Sequence, residues 1–70
     1  MKLSARNVLK GKVLKVTKGA VNSEVTLELP GGAQIVSVIT NTSVASLKLK
    51  KGKEAYAVIK ASNVMLAVDE

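Results

Sequence analysis

Two interleaved hydrophobic phases in the segment Met1–Lys18 constrain this chain more than any other feature. Leu3, Ala5, Leu9 and Val13 recur at odd positions, whereas Val8, Leu14 and Val16 fall at even ones. Successive side chains of a strand point to opposite faces, so a change of phase means that the strand turns a different face to the core partway along. Gly11 lies at the switch, and an isolated glycine inside a strand marks a bulge or a sharp bend. A long, strongly bent first strand is what a small closed barrel requires.

The remaining segments fit such a barrel. Lys18-Gly19-Ala20 reads as a turn, and from Val21 to Leu29 the alternation is clean. Val21, Ser23, Val25, Leu27 and Leu29 share one face, with Asn22, Glu24, Thr26 and Glu28 on the other, which describes a half-exposed antiparallel strand. Pro30-Gly31-Gly32 punctuates a hairpin, and Gln34–Thr40 returns as a third strand whose faces both read as covered. Thr40-Asn41-Thr42-Ser43 is rich in helix-capping side chains, and Val44 and Leu47 follow at helical spacing. The basic turn Lys50-Lys51-Gly52-Lys53 leads to a fourth strand, Glu54–Lys60, and Val64–Val68 reads as a short fifth. This order predicts an all-β, OB-like five-stranded Greek-key barrel with one short helix between strands 3 and 4, occupying residues 1–70 as a single domain.

A lone 70-residue domain buries only roughly 60% of its unfolded surface and is marginal. The chain has neither cysteine nor histidine, so no disulfide can brace it and a zinc site is not expected. Oligomerisation is the staple that remains, and an apolar content of 47%, nearly all aliphatic, provides the surface for it. The N-terminal residues lack the apolar core of a secretory signal, and no stretch approaches a membrane span. A cytoplasmic location is therefore the expectation.

Eleven basic residues against five acids give a net charge of +6. Solubility accounts for part of that excess. Single-stranded nucleic acid is held largely by stacking on aromatic faces, and the chain has one tyrosine and no Phe or Trp, which favours small anions as partners. Catalysis is not expected. Ser–His and Cys–His arrangements are excluded, and the acids form no obvious pair, since Glu24 and Glu28 share an exposed face and Asp69 and Glu70 are terminal. Gly31-Gly32 follows a proline in a hairpin and opens no helix, so it is no phosphate loop.

A fully deprotonated tetrahedral anion offers acceptors only, so its receptor needs hydroxyls, N–H groups and cations without carboxylates. Two separated segments have that make-up. Lys60 is the only basic residue after Lys53, and Ala61-Ser62-Asn63 behind it is a turn whose donors can converge on one spot. Ser4-Ala5-Arg6-Asn7 near the other end combines a hydroxyl, a guanidinium and an amide. The segments are expected to meet across a subunit boundary, with Ser4, Arg6, Lys60 and Ser62 and the N–H groups around Ala5, Ala61 and Ser62 as donors. A second candidate is the Gly19, Ala20, Val21, Asn22, Ser23 turn, where small residues permit close approach and Asn22 and Ser23 add side-chain donors. The same residues also suit a routine hairpin turn, and a strand-ending lysine can be simply solvated.

Taken together, Ser4-Ala5-Arg6-Asn7, Gly11-Lys12-Val13, Lys18–Val25, Ile39-Thr40 through Ser43-Val44, and Val58–Ala67 resemble the Mop domain of the molbindins over essentially the whole chain. That domain also occurs in molybdate-responsive regulators and in molybdate-importer ATPases. With nothing else in these residues, the chain is most similar to the stand-alone form. The resemblance implies a single Mop domain over residues 1–70 and a hexamer built as a trimer of dimers. It further implies molybdate or tungstate held at subunit interfaces for intracellular storage and homeostasis, with no other cofactor and no directly coordinated metal cation. It carries Ser4, Ala5, Arg6, Lys60, Ala61 and Ser62 to one class of site, and Gly19, Ala20, Val21, Asn22 and Ser23 to a second class near a symmetry axis. The rival readings are a nucleic-acid-binding OB module that uses its lysines and an assembly domain without a physiological ligand.

Overall fold

A computed structural model describes all residues from Met1 to Glu70. Its strands are β1 (Asn7–Lys18), β2 (Asn22–Glu28), β3 (Gln34–Thr40) and β4 (Glu54–Ile59), with the short helix α1 (Asn41–Ser46) between β3 and β4. They form one antiparallel sheet in the order β3-β2-β1-β4. No helix is long and apolar enough to cross a membrane.

Strand β1 serves two walls. Its first half, Asn7–Lys12, pairs with β4, and its second half, Lys12–Lys18, pairs with β2. Lys12 lies opposite both Glu28 and Glu54. The register with β2 slips between Val13 and Lys15, so Leu14 is an extra residue. The phase change is therefore real, but the bulge sits at Leu14 and not at Gly11. Val13 before it is buried and Val16 after it packs on the same core, which is how odd and even positions both face inward. Gly11 answers a different need. A Cβ there would lie 2.8 Å from the Glu28 carbonyl oxygen and 3.1 Å from Leu29 Cδ2, so the glycine lets the two walls close together.

The core consists of Val13, Val25 and Leu27, flanked by Val16, Ile35, Ile39, Val44, Leu49, Ala55 and Ala57. Ser23 and Thr26 are buried with it. The β2–β3 hairpin turns at Pro30-Gly31-Gly32 with positive φ at both glycines (92° and 96°), which glycine adopts without steric cost. The Thr40 side chain caps α1, accepting from the Ser43 N–H at 3.0 Å.

Three expectations need correction. The fifth strand does not form: within the chain Val64–Val68 makes no ladder with either edge strand, β3 or β4. The sheet therefore has four strands, and Met65 and Leu66 are 92% and 93% exposed. Strand β1 begins at Asn7 and not at Met1, since β4 ends opposite it at Ile59. Strand β3 is covered on one face only, with Val36 and Val38 exposed on the other.

Gly11→Ala is expected to destabilise the fold by about 1–3 kcal/mol, the usual cost of forcing an extra methyl against fixed backbone. Urea unfolding at constant protein concentration measures it, and an unchanged midpoint would show that the walls do not press on this residue.

Candidate functional site

The antiparallel register decides which residues meet. The last β1–β4 pair is Asn7 with Ile59, tied further by Asn7 Nδ2 donating to the Ile59 carbonyl at 3.3 Å. Ser4-Ala5-Arg6 and Lys60-Ala61-Ser62 leave the ladder from that same end, so segments far apart in sequence arrive side by side. After Lys60 the chain tightens into a 3₁₀ turn, Ala61–Asn63. Its internal bonds run from Asn63 N–H to Lys60 O (2.9 Å) and from Val64 N–H to Ala61 O (3.3 Å), and the Ala61 and Ser62 N–H groups donate to nothing in the chain. Of the six residues only Ala5 is half-buried, the others being exposed. No carboxylate neutralises the two cations, the chain's one ion pair being Lys10 to Glu54 at 3.5 Å farther along the ladder. The arrangement gathers hydrogen-bond donors and cations without a carboxylate, and it is open on its outer side.

The second candidate lies at the other end of β1. Gly19 N–H donates to Asn22 O at 2.8 Å, and a Cβ on Gly19 would lie 2.6 Å from that oxygen, so only glycine fits the turn. The N–H groups of Ala20 and Val21 have no partner in the chain. Ser23, however, does not face outward. It is buried, and its hydroxyl donates to Asn41 Oδ1. Asn41 also donates from Nδ2 to Gly19 O (3.0 Å) and from its backbone to Val21 O (2.8 Å). One side chain at the start of α1 thus clamps the turn. The two candidate sites remain separate, at opposite ends of β1.

Known proteins resemble this chain in sequence and fold. Residues 3–66 match the model of the TOBE domain. The chain is 48% identical over 69 residues to a probable molybdenum-pterin-binding protein of Haemophilus influenzae, covering 99% of this chain and 100% of that one. Among solved structures it is similar to MopII from Clostridium pasteurianum, with a TM-score of 0.91 and 48% identity over 96% of this chain and 100% of that one. A further neighbour is the cytoplasmic molybdate-binding protein ModG with molybdate bound, with a TM-score of 0.95 and 56% identity, covering 99% of this chain and 49% of that one. The chain belongs to the TOBE-domain family, among its molbindin (Mop) members.

In this TOBE domain Asn41 is the residue that sequence reasoning missed. Thr40-Asn41-Thr42-Ser43 reads as a capping run, and Thr40 does cap. The available signal was that one cap satisfies the helix, leaving the amide of Asn41 free to bond elsewhere. Asn41→Ala would strip the buried Ser23 hydroxyl of its partner, at about 1–3 kcal/mol. A denaturation midpoint lowered to match, and a smaller added loss when Ser23→Ala is combined with it, are the expected results.

Proposed function

We propose that this TOBE domain, as a single Mop domain over residues 1–70, binds molybdate and tungstate without catalysis and serves their storage and homeostasis in the cytoplasm. One observation carries the reading: the register ending at Asn7–Ile59 sets Arg6 and Lys60 side by side with unused N–H donors and no carboxylate. The type 1 site consists of Ser4, Ala5, Arg6, Lys60, Ala61 and Ser62. The type 2 site is the Gly19, Ala20, Val21, Asn22, Ser23 turn, in which the Ala20 and Val21 N–H groups and the Asn22 amide are the donors and Ser23 shapes the turn from inside. Relatives whose names and descriptions concern molybdenum and molybdate support the choice of ion.

An exposed wall of donors cannot strip a doubly charged anion of its water. The missing wall is a second copy, in a hexamer arranged as a trimer of dimers. Two unmatched parts of the chain support this. A groove of about 700 Å³ opens between β3 and β4, lined by Val25, Leu27, Ile35, Ile39, Leu49 and Ala55 among others. Val64–Val68 is apolar, exposed and without a ladder. Supplied by a second copy, that segment fills the groove as the fifth strand, and each fully buried Leu, Val or Met contributes about 1.5–3 kcal/mol.

Lys60→Ala is expected to keep the fold and to lose a charge-assisted hydrogen bond of roughly 1.5–3 kcal/mol, or about tenfold to hundredfold in molybdate affinity. Calorimetric titration reads this directly. Arg6→Ala should act on the same sites, the double variant should be less than additive, and type 2 sites should survive both. Unchanged affinity and stoichiometry in Lys60→Ala would remove Lys60-Ala61-Ser62 from the site.

A chain ending at Asn63 is expected to sediment as a monomer at micromolar concentration where residues 1–70 sediment as an oligomer. An intact oligomer without the segment would overturn its role as the shared strand.

A further inference from the structure

The turn between α1 and β4 concentrates positive charge that neither candidate site uses. Lys48, Lys50, Lys51 and Lys53 occur within it, with no acid among them. The turn is firmly held. Gly52 N–H donates to Val13 O (2.8 Å), Val13 N–H to Lys53 O (2.9 Å), and Lys53 N–H to Lys50 O (3.1 Å). Lys53 is occupied, its Nζ donating to Leu47 O at 2.7 Å. Of the protein's nearby carboxylates, Glu54 pairs with Lys10 at 3.5 Å, and Glu28 stands opposite Lys12 in the ladder without an ion pair. Lys48, Lys50 and Lys51 are left exposed and unpaired. Lys48 even adopts φ 55°, at the position just past the helix where glycine is the usual residue.

Four of the turn's N–H groups, those of Lys48, Leu49, Gly52 and Lys53, donate internally, which leaves Lys50 and Lys51 N–H as its free backbone donors, and no hydroxyl or guanidinium stands among them to complete an oxyanion site. Nor does nucleic acid suit the turn, since α1 carries no basic residue and the turn no aromatic one. Flexible ammonium groups alone fit carboxylates on a polypeptide. The chain carries such a pair itself: Asp69 and Glu70 directly follow Val64–Val68, both exposed and without an ion-pair partner.

We propose that Asp69 and Glu70 of a second copy dock on Lys48, Lys50 and Lys51, latching the shared strand and setting its direction. The inference rests on the reading above, in which Val64–Val68 crosses between copies. Every ladder of the sheet is antiparallel. A fifth strand added antiparallel to β4 starts near Ile59 and ends near Glu54. Val64–Val68 is about the length of β4 (Glu54–Ile59), so the acids emerge at the lysine turn, where Leu47, Leu49 and Lys53 line the groove. The parallel direction would bring the same two carboxylates to Arg6 and Lys60, where they would compete with the oxyanion for the two cations. With the oxyanion bound there, charge favours the antiparallel direction for a segment whose apolar residues alone would tolerate either.

Charge exchange in the full chain tests this. Lys50→Glu with Lys51→Glu, and separately Asp69→Lys with Glu70→Lys, are expected to raise the dissociation constant of the assembly about tenfold in low salt, by removing several weak ion pairs and adding repulsion. The difference should shrink at high salt. Sedimentation equilibrium over a dilution series reads it. Combining all four substitutions should restore assembly to within about threefold of the natural chain, because the pairs re-form with reversed sign. Combined substitutions that add without rescue, or reversals without effect, would overturn the latch while the chain ending at Asn63 still reports on the shared strand. If that shorter chain assembles normally, the underlying reading fails, and the latch with it.

Discussion

Almost everything in this molecule depends on β1 lying in two walls at once. One strand pairs with β4 over its first half and β2 over its second, with Lys12 as the shared rung. Two devices make this possible. The bulge at Leu14 turns the strand so that Val13 and Val16 both reach the core, and the missing side chain at Gly11 lets the Glu28 carbonyl approach. The two ends of the same strand then become the two candidate sites. Arg6 and Lys60 follow directly on the last β1–β4 pair, Asn7–Ile59, and so leave the sheet at the same end, and the Gly19 turn closes because the β2 register begins at Lys18.

Six of 70 residues are buried, which is little for a chain nearly half apolar, and much of the exposed apolar surface is gathered in one place. Apart from Leu3, Leu9 and Val21, it comprises one face of β3, the groove beside β4 and the tail from Val64. Apolar surface gathered in this way marks an interaction face. The donor wall around Arg6 and Lys60 is unfinished in the same sense: its cations and N–H groups are present and its enclosure is absent. A single proposal, a second copy seated on the first, supplies both deficits.

The sequence made much of this legible, and the exceptions have identifiable causes. The Pro30-Gly31-Gly32 hairpin and the Thr40 cap are local signals, and each appears where its residues stand. The β2 alternation holds for Ser23, Val25 and Leu27 against Glu24 and Glu28, but Thr26 is buried where the pattern puts it outside and Val21 is exposed where the pattern puts it inside. A glycine inside a strand commonly marks a bulge, and the pattern alone points to Gly11. Here the glycine instead makes room for a carbonyl from another strand, which no local pattern reveals. Composition makes Ser23 a candidate donor of the turn, although its alternation with Val25 and Leu27 puts it on the core face. Its hydroxyl is satisfied there by Asn41, a partner eighteen residues away.

Residue by residue, the chain's own chemistry determined the strand and turn order, the absence of any thiol or imidazole, and the presence of two carboxylate-free donor segments. Those properties follow from side-chain type and near-neighbour spacing. Which donor segments leave the sheet at the same end was visible only in three dimensions, because the ladder that ends at Asn7–Ile59 joins positions nearly the whole length of the chain apart. The fate of Val64–Val68 was likewise a tertiary matter. Its apolar run makes it a strand in composition, yet a strand exists only where a neighbouring edge accepts its N–H and C=O groups, and within its own subunit the segment pairs with neither edge strand.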